Sequence, residues 1–162
     1  MRFGTRTELG RKWMAKGYRP RGSQKIGYDY GYLSVALNPL TGKTFMLILP
    51  DMRTASFQLF IDEFQKFMAA EGCLITDGAA SHRSTTIELD KRLKLEHLPA
   101  YSPQLNPVER FFQELRRELK NRVFDSYEAV EEAVIAAVKP YFQDPQRVKR
   151  LTGYPWLQNT PT

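Results

Sequence analysis

The chain has 162 residues, 42% hydrophobic and 26% charged, which is the balance of one globular domain rather than a disordered chain. Its single cysteine, Cys73, excludes an intrachain disulfide scaffold, and no apolar run approaches the length of a membrane span. The formal net charge is +6, and residues 1–26 concentrate it, with eight basic residues against one acid.

That basic end on a near-neutral body points to a polyanion, most often nucleic acid, although the same residues also suit a solubilising surface. The first residues, MRFGTRTELGRK, contain no apolar stretch of the kind that opens a secretory signal, so a soluble intracellular domain is expected.

The Gly- and Arg-rich segment 1–25 predicts short strands or a flexible hairpin. Ile26, Tyr28, Tyr30 and Tyr32 alternate, and Leu33, Val35 and Leu37 continue in the other phase. This predicts a strand with a bulge near Gly31. Asn38-Pro39-Leu40-Thr41-Gly42 is turn chemistry, and the apolar run 44–49 completes a hairpin. Phe57, Phe60, Ile61, Phe64, Phe67 and Met68 follow helical spacing up to Gly72. Cys73-Leu74-Ile75-Thr76 reads as a buried strand, and Leu93, Leu95 and His97 as a further one, with a loop or short helix over 79–92. Asn106-Pro107 opens a helix whose stripe is Val108, Phe111, Phe112, Leu115 and Leu119. Ser126 caps another with Val130, Ala133, Val134, Ala137 and Val138 inside, which Pro140 bends or ends. The order predicts an α/β, three-layer plan over 1–142 with a C-terminal tail over 143–162.

Three residues stand out for chemistry. Asp77 directly follows the strand 73–76, where α/β sheets gather ligand-facing groups, so it suits a metal ligand or general base. Asp-Gly is equally a turn dipeptide. Glu109 shares a helix face with Gln113, Arg116 and Lys120, a polar and partly basic face along which a phosphate backbone could run. Alternatively, Asn106-x-x-Glu109 forms a capping box. His82 could touch phosphate or orient water, or could serve structure alone. Two histidines and one cysteine do not make a zinc site, and the phosphate-loop, dinucleotide and nucleophile-elbow motifs are absent.

Several strings together resemble a known family. Ile75-Thr76-Asp77-Gly78-Ala79-Ala80-Ser81-His82 resembles the second-Asp motif of the IS630/Tc1/mariner transposases. Leu98-Pro99-Ala100-Tyr101-Ser102-Pro103-Gln104-Leu105-Asn106-Pro107-Val108-Glu109 closely resembles their L-P-x-Y-S-P-x-L-N-P-I/V-E block, and the stretch from Tyr30 to Gly42 looks like the strand pair of the IS630-type catalytic domain. The resemblance spans most of residues 1–124.

It implies an RNase H-like mixed sheet flanked by helices, and a DDE or DDD centre binding two divalent ions, Mg²⁺ or Mn²⁺. By position, Asp77 is the second acid and Glu109 the third, both catalytic and metal-binding, with 31 residues between them, slightly fewer than the family spacing. The family's first acid lies in an Asp-Glu pair directly before a segment like Met1-Arg2-Phe3-Gly4, so that acid and most of the first strand are expected to be missing. Asp29 and Asp51 do not match its motif. The implied function is DNA cleavage and strand transfer at transposon ends, inactive in this chain by itself. The alternative is a non-enzymatic DNA-binding or transposase-pairing fragment that acts as a repressor. Arg6, Arg11, Lys12, Arg19, Arg21, His82, Arg110, Arg116 and Lys120 are the expected DNA contacts. The expected partners are transposon-end and target DNA, and either a second copy or an upstream or full-length transposase segment. The expected location is the cytoplasm, with the nucleoid.

Overall fold

The computed structural model describes residues 1–19 and 21–158. Strand β1 (Arg2–Gly4) pairs antiparallel with β2 (Tyr30–Leu37), which pairs antiparallel with β3 (Thr44–Leu49). Helix α1 (Thr54–Phe67) leads to β4 (Gly72–Thr76), which pairs in parallel with β5 (Leu93–His97). Four helices follow: α2 (Pro107–Leu119), α3 (Tyr127–Gln143), α4 (Pro145–Thr152) and α5 (Pro155–Gln158).

The hairpin forms where its alternation and turn chemistry predict. Asn38 Oδ1 accepts from the N–H groups of Leu40 and Thr41, both at 2.9 Å, and Gly42 supplies the φ of +78° that closes the turn. The bulge expected near Gly31 is absent. Gly31 stands opposite Phe3 and the register runs on unbroken. What makes this position glycine is packing: a Cβ here would collide with the Tyr127 hydroxyl and the Phe3 ring. The alternation over 26–29 belongs to an arm outside β2, tied to residues 5–7 by Thr5 N–H to Asp29 O at 3.0 Å and Thr7 N–H to Lys25 O at 3.1 Å.

Alternation along β2 and β3 gives the sheet two apolar faces. Phe3, Leu33, Val35, Met46 and Ile48 pack with α2, α3 and α4, whose Phe111, Val130, Val134 and Val148 are fully enclosed. Ala36, Phe45, Leu47 and Leu49 pack on the other side with Phe57, Phe60 and Ile61 of α1 and with Leu74, Leu93 and Leu95. Helices, sheet and helix make the three layers. They are not joined by one sheet, however. The three-stranded and two-stranded sheets share no ladder, and β1 is only three residues long against eight in β2.

Two further details differ from expectation. Helix α1 stops at Phe67 and Gly72 opens β4 instead of ending the helix. Pro140 lies inside α3, which runs on to Gln143. Proline removes one helical N–H, but Val138 and Tyr141 on either side are buried and hold the last turn against the core. Beyond it, Asp144 caps α4 by accepting from Gln146 N–H at 2.9 Å, and Val148 of α4 is wholly buried against α2 and α3. Residues 159–162 lie outside the described residues.

Candidate active site

Asp77 leaves the C-terminal end of β4, the end at which the parallel pair opens. The segment 77–83 then folds back through one 3₁₀ turn (Ala80–His82), the only regular element in the expected loop among the described residues. Asp77 Oδ1 accepts from Ala79 N–H at 3.2 Å, which is the turn role anticipated for an Asp-Gly pair. The same oxygen lies 2.6 Å from His82 Nδ1. The His82 side chain is 17% exposed and its ring packs on Phe57, with centroids 4.2 Å apart. Helix α1 thus fixes the imidazole, and the imidazole fixes the carboxylate. The contact is short but off the N–H axis: Nδ1 has no aligned hydrogen bond. The close His82 contact is the largest cause holding the Asp77 carboxyl below its ordinary value, against the opposing effect of partial desolvation.

Glu109 sits in the first turn of α2. Asn106 caps the helix by accepting from Val108 N–H at 3.1 Å. The capping box does not form. The Asn106 N–H donates to Pro103 O, and the Glu109 carboxylate instead lies 3.9 Å from the Arg116 guanidinium two turns along. This is the shared polar face expected from the helical wheel. The next member, Gln113, is engaged by Arg110 at 3.3 Å.

Asp77 and Glu109 both lie within electrostatic reach of the Met1 amino nitrogen. Both raise the pKa of the same group, the Met1 amino nitrogen, while its burial, followed by Arg116, lowers it from 8.0 to about 6. That nitrogen donates to Leu33 O at 2.5 Å on β2. The two carboxylates, 32 positions apart in sequence, thus share one electrostatic neighbour. Asp51 and Asp29 are elsewhere. Asp51 accepts from Arg53 N–H and Ser56 Oγ at the entry to α1, and Asp29 lies on the exposed arm beside Thr5.

The expected DNA contacts divide into groups. Arg116 and Arg6 line a cavity between β1 and the end of α2. Arg11, Lys12, Arg19 and Arg21 are exposed on the long 8–24 connection. Arg110 is exposed and pairs with Glu114 at 3.6 Å. Lys120, at the end of α2, lays its stem along Gly10. His82 is turned inward to Asp77. Sequence reasoning passed over Arg2 and Arg122, which share the cavity with Arg6 and Arg116. The basic segment 1–26, which holds both Arg2 and Arg6, is the available signal for the first.

Residues 1–131 match the family of DDE superfamily endonucleases, and the chain belongs to that family. An uncharacterised protein, y4pE/y4sA of Sinorhizobium fredii (strain NBRC 101917 / NGR234), is 29% identical over 134 residues, covering 81% of this chain and 99% of that protein. Among solved structures, the Mos1 mariner paired end complex with Mn superposes with a TM-score of 0.65 at 16% identity, and the Mos1 strand transfer complex with 0.61 at 16%. Each match covers 94% of this chain and 52% of the Mos1 chain, so this chain spans about half the Mos1 length. The shared fold is the RNase H-like one. No described helix is long and apolar enough to cross a membrane.

Proposed function

We propose that the chain is the catalytic-domain portion of an IS630-type transposase and that Asp77 and Glu109 are its metal-binding, catalytic carboxylates. What supports this reading is the placement of Asp77 at the C-terminal end of β4, with His82 at 2.6 Å, and of Glu109 in the first turn of α2, with Arg116 at 3.9 Å, both inside the stretch that matches the DDE endonuclease family. Carboxylate oxygens are the hard donors that Mg²⁺ or Mn²⁺ prefers, and one or two of them with water complete many Mg²⁺ sites. Asp77 suits such a role because its close contact with His82 holds its carboxyl below the ordinary value and fixes its position. Glu109 suits it because Arg116 holds the carboxylate out from the helix start instead of letting it fold back as a cap. When bound, a divalent ion supplies Lewis-acid polarisation of the scissile phosphate.

The donor set fits one ion better than two. Among the described residues no three of His, Cys, Asp and Glu gather as a metal site. Two carboxylates leave two dications with a large uncompensated charge. Cleavage and strand transfer by residues 1–162 without another acid are therefore slow or absent. The same observation favours the second reading, a DNA-binding fragment that pairs with a second copy or with a longer transposase. DNA ends and target DNA are the partners in both readings, as the Mos1 complexes suggest by analogy of fold, and a cytoplasmic, nucleoid-associated location follows from them.

The test is nicking of transposon-end duplex with Mn²⁺ or Mg²⁺. Weak nicking lost in Asp77→Asn and in Glu109→Gln, with DNA affinity retained, supports the catalytic reading. Binding with no nicking under any ion supports the fragment reading. Robust turnover by the chain itself overturns the argument from a two-carboxylate donor set.

A further inference from the structure

Four arginines from two stretches far apart in sequence line one cavity of about 290 Å³: Arg2 and Arg6 on and after β1, Arg116 on α2 and Arg122 just beyond it. One carboxylate residue, Glu8, shares the lining. Arg116 is partly neutralised by Glu109 at 3.9 Å. Among the described residues, Arg2, Arg6 and Arg122 have no ion-pair partner within 4.0 Å. Two of the three are nevertheless held in place. Arg2 stacks over Tyr30 at 4.7 Å from the ring centroid, and Arg122 over Phe124 at 4.9 Å. Tyr30 is itself anchored by its hydroxyl, which donates to Gly27 O at 3.1 Å, and Phe124 is buried. Stacking fixes the plane of a guanidinium and leaves its N–H edge free. Like charges repel, so gathering several guanidinium groups around one hollow is costly unless an anion fills it.

We propose that this cavity is a phosphate-binding subsite that seats the backbone of duplex DNA, with Arg2 and Arg122 as contacts additional to Arg6 and Arg116. The proposal rests on the DNA-acting reading above and deepens it. Arg116 also lies 3.9 Å from the Glu109 carboxylate, so a phosphate held by Arg116 sits next to the reach of Glu109. Planar guanidinium forks match phosphate oxygens in pairs, and such contacts fix register on the duplex without reading its sequence.

The test is fluorescence anisotropy with the full chain and a labelled random-sequence duplex, in EDTA, over a series of salt concentrations. Cleavage plays no part in this readout. Arg2→Gln with Arg122→Gln is expected to flatten the slope of log affinity against log salt by about 2, close to one unit per lost phosphate contact. Arg2→Lys with Arg122→Lys restores most of the slope, which separates charge from packing. Lys139→Gln, an exposed cation on α3, leaves it unchanged. Thermal unfolding of each variant is measured alongside, and Arg6→Gln gives a milder second probe should the double variant unfold. An unchanged slope in a folded double variant, or in Arg6→Gln, overturns the proposal. Displacement of DNA from the wild type by inorganic phosphate at constant ionic strength, lost in the double variant, supports a backbone phosphate site. If inorganic phosphate binds the wild type, not the double variant, and DNA affinity is equal in both, the cavity serves a free anion and the proposal fails. A flattened slope in a chain that never nicks DNA leaves the subsite standing and removes the catalytic reading. The reverse pattern removes the subsite alone.

Discussion

His82 Nδ1 stands 2.6 Å from Asp77 Oδ1, and the ring that carries it is packed on Phe57 of α1. Helix α1 thus positions the group that most lowers the Asp77 carboxyl. Replacing His82 with Gln is expected to return the Asp77 carboxyl upward toward its ordinary value, because the largest lowering influence is lost. A carboxyl-detected NMR titration of both proteins reads the shift. An Asp77 that titrates identically with and without the imidazole refutes the coupling.

The same relationship sets a sign for stability against pH. The folded chain holds Asp77 below the carboxyl value of about 3.9 found in unfolded peptides. Its contribution is fully present above that value and fades as pH falls through the lower folded-state value. With the Asp77 side chain 56% exposed, solvent screens most of it. Thermal unfolding followed from neutral to acid pH is expected to show a slightly smaller acid-side loss in His82→Gln than in the wild type.

Glu109→Gln is expected to weaken Mn²⁺ binding, followed by Mn²⁺ relaxation or calorimetry, while raising DNA affinity slightly. The second effect arises because Arg116 is released from its carboxylate partner. A variant that loses DNA affinity instead shows that Glu109 positions Arg116 for the backbone.

The core on the α2–α3 side rests on Phe111, which is fully buried and meets Tyr141 edge-on at 4.9 Å. Phe111→Ala is expected to cost about 3–5 kcal/mol, the range for large-to-small aromatic changes in a packed interior. Asn106→Ala, which removes the α2 cap, is expected to cost about 1 kcal/mol. Urea unfolding measures both, and the ranking of the two is the check.

Gly31→Ala forces a methyl into the Tyr127 hydroxyl and the Phe3 ring. Overpacking of this kind costs about 1–3 kcal/mol. Tyr127→Phe clears the hydroxyl from that space, so the double variant is expected to recover part of the loss. Strict additivity in the cycle contradicts the contact.

Much of this molecule was legible where the determinants are local. The Asn38-to-Gly42 turn, the stripe of α2, the Ser126 cap and the strand leading into Asp77 each follow from a few adjacent residues. That Glu109 faces Arg116 followed from helical spacing. What escaped was tertiary. Alternation at Ile26 and Tyr28 is identical whether the chain lies in a sheet or on a loose arm. The glycine at position 31 is dictated by Tyr127, nearly a hundred residues away, and not by a bulge. Pro140 continues its helix because Tyr141 is buried. Arg2 and Arg122 gain meaning only once β1 and the end of α2 enclose a common space.

The separation of the two sheets has a consequence for Asp77 and Glu109. Asp77 hangs from the α1-side interior and Glu109 from the α2-side interior, and no ladder of backbone bonds ties one mount to the other. Their spacing is thus set like the jaws of a caliper, by how tightly side chains seat on opposite faces of β2 and β3. Loosening Phe60 or Ile61 shifts one jaw and leaves the other true, so the gap itself becomes tunable from deep inside the molecule, well away from either carboxylate.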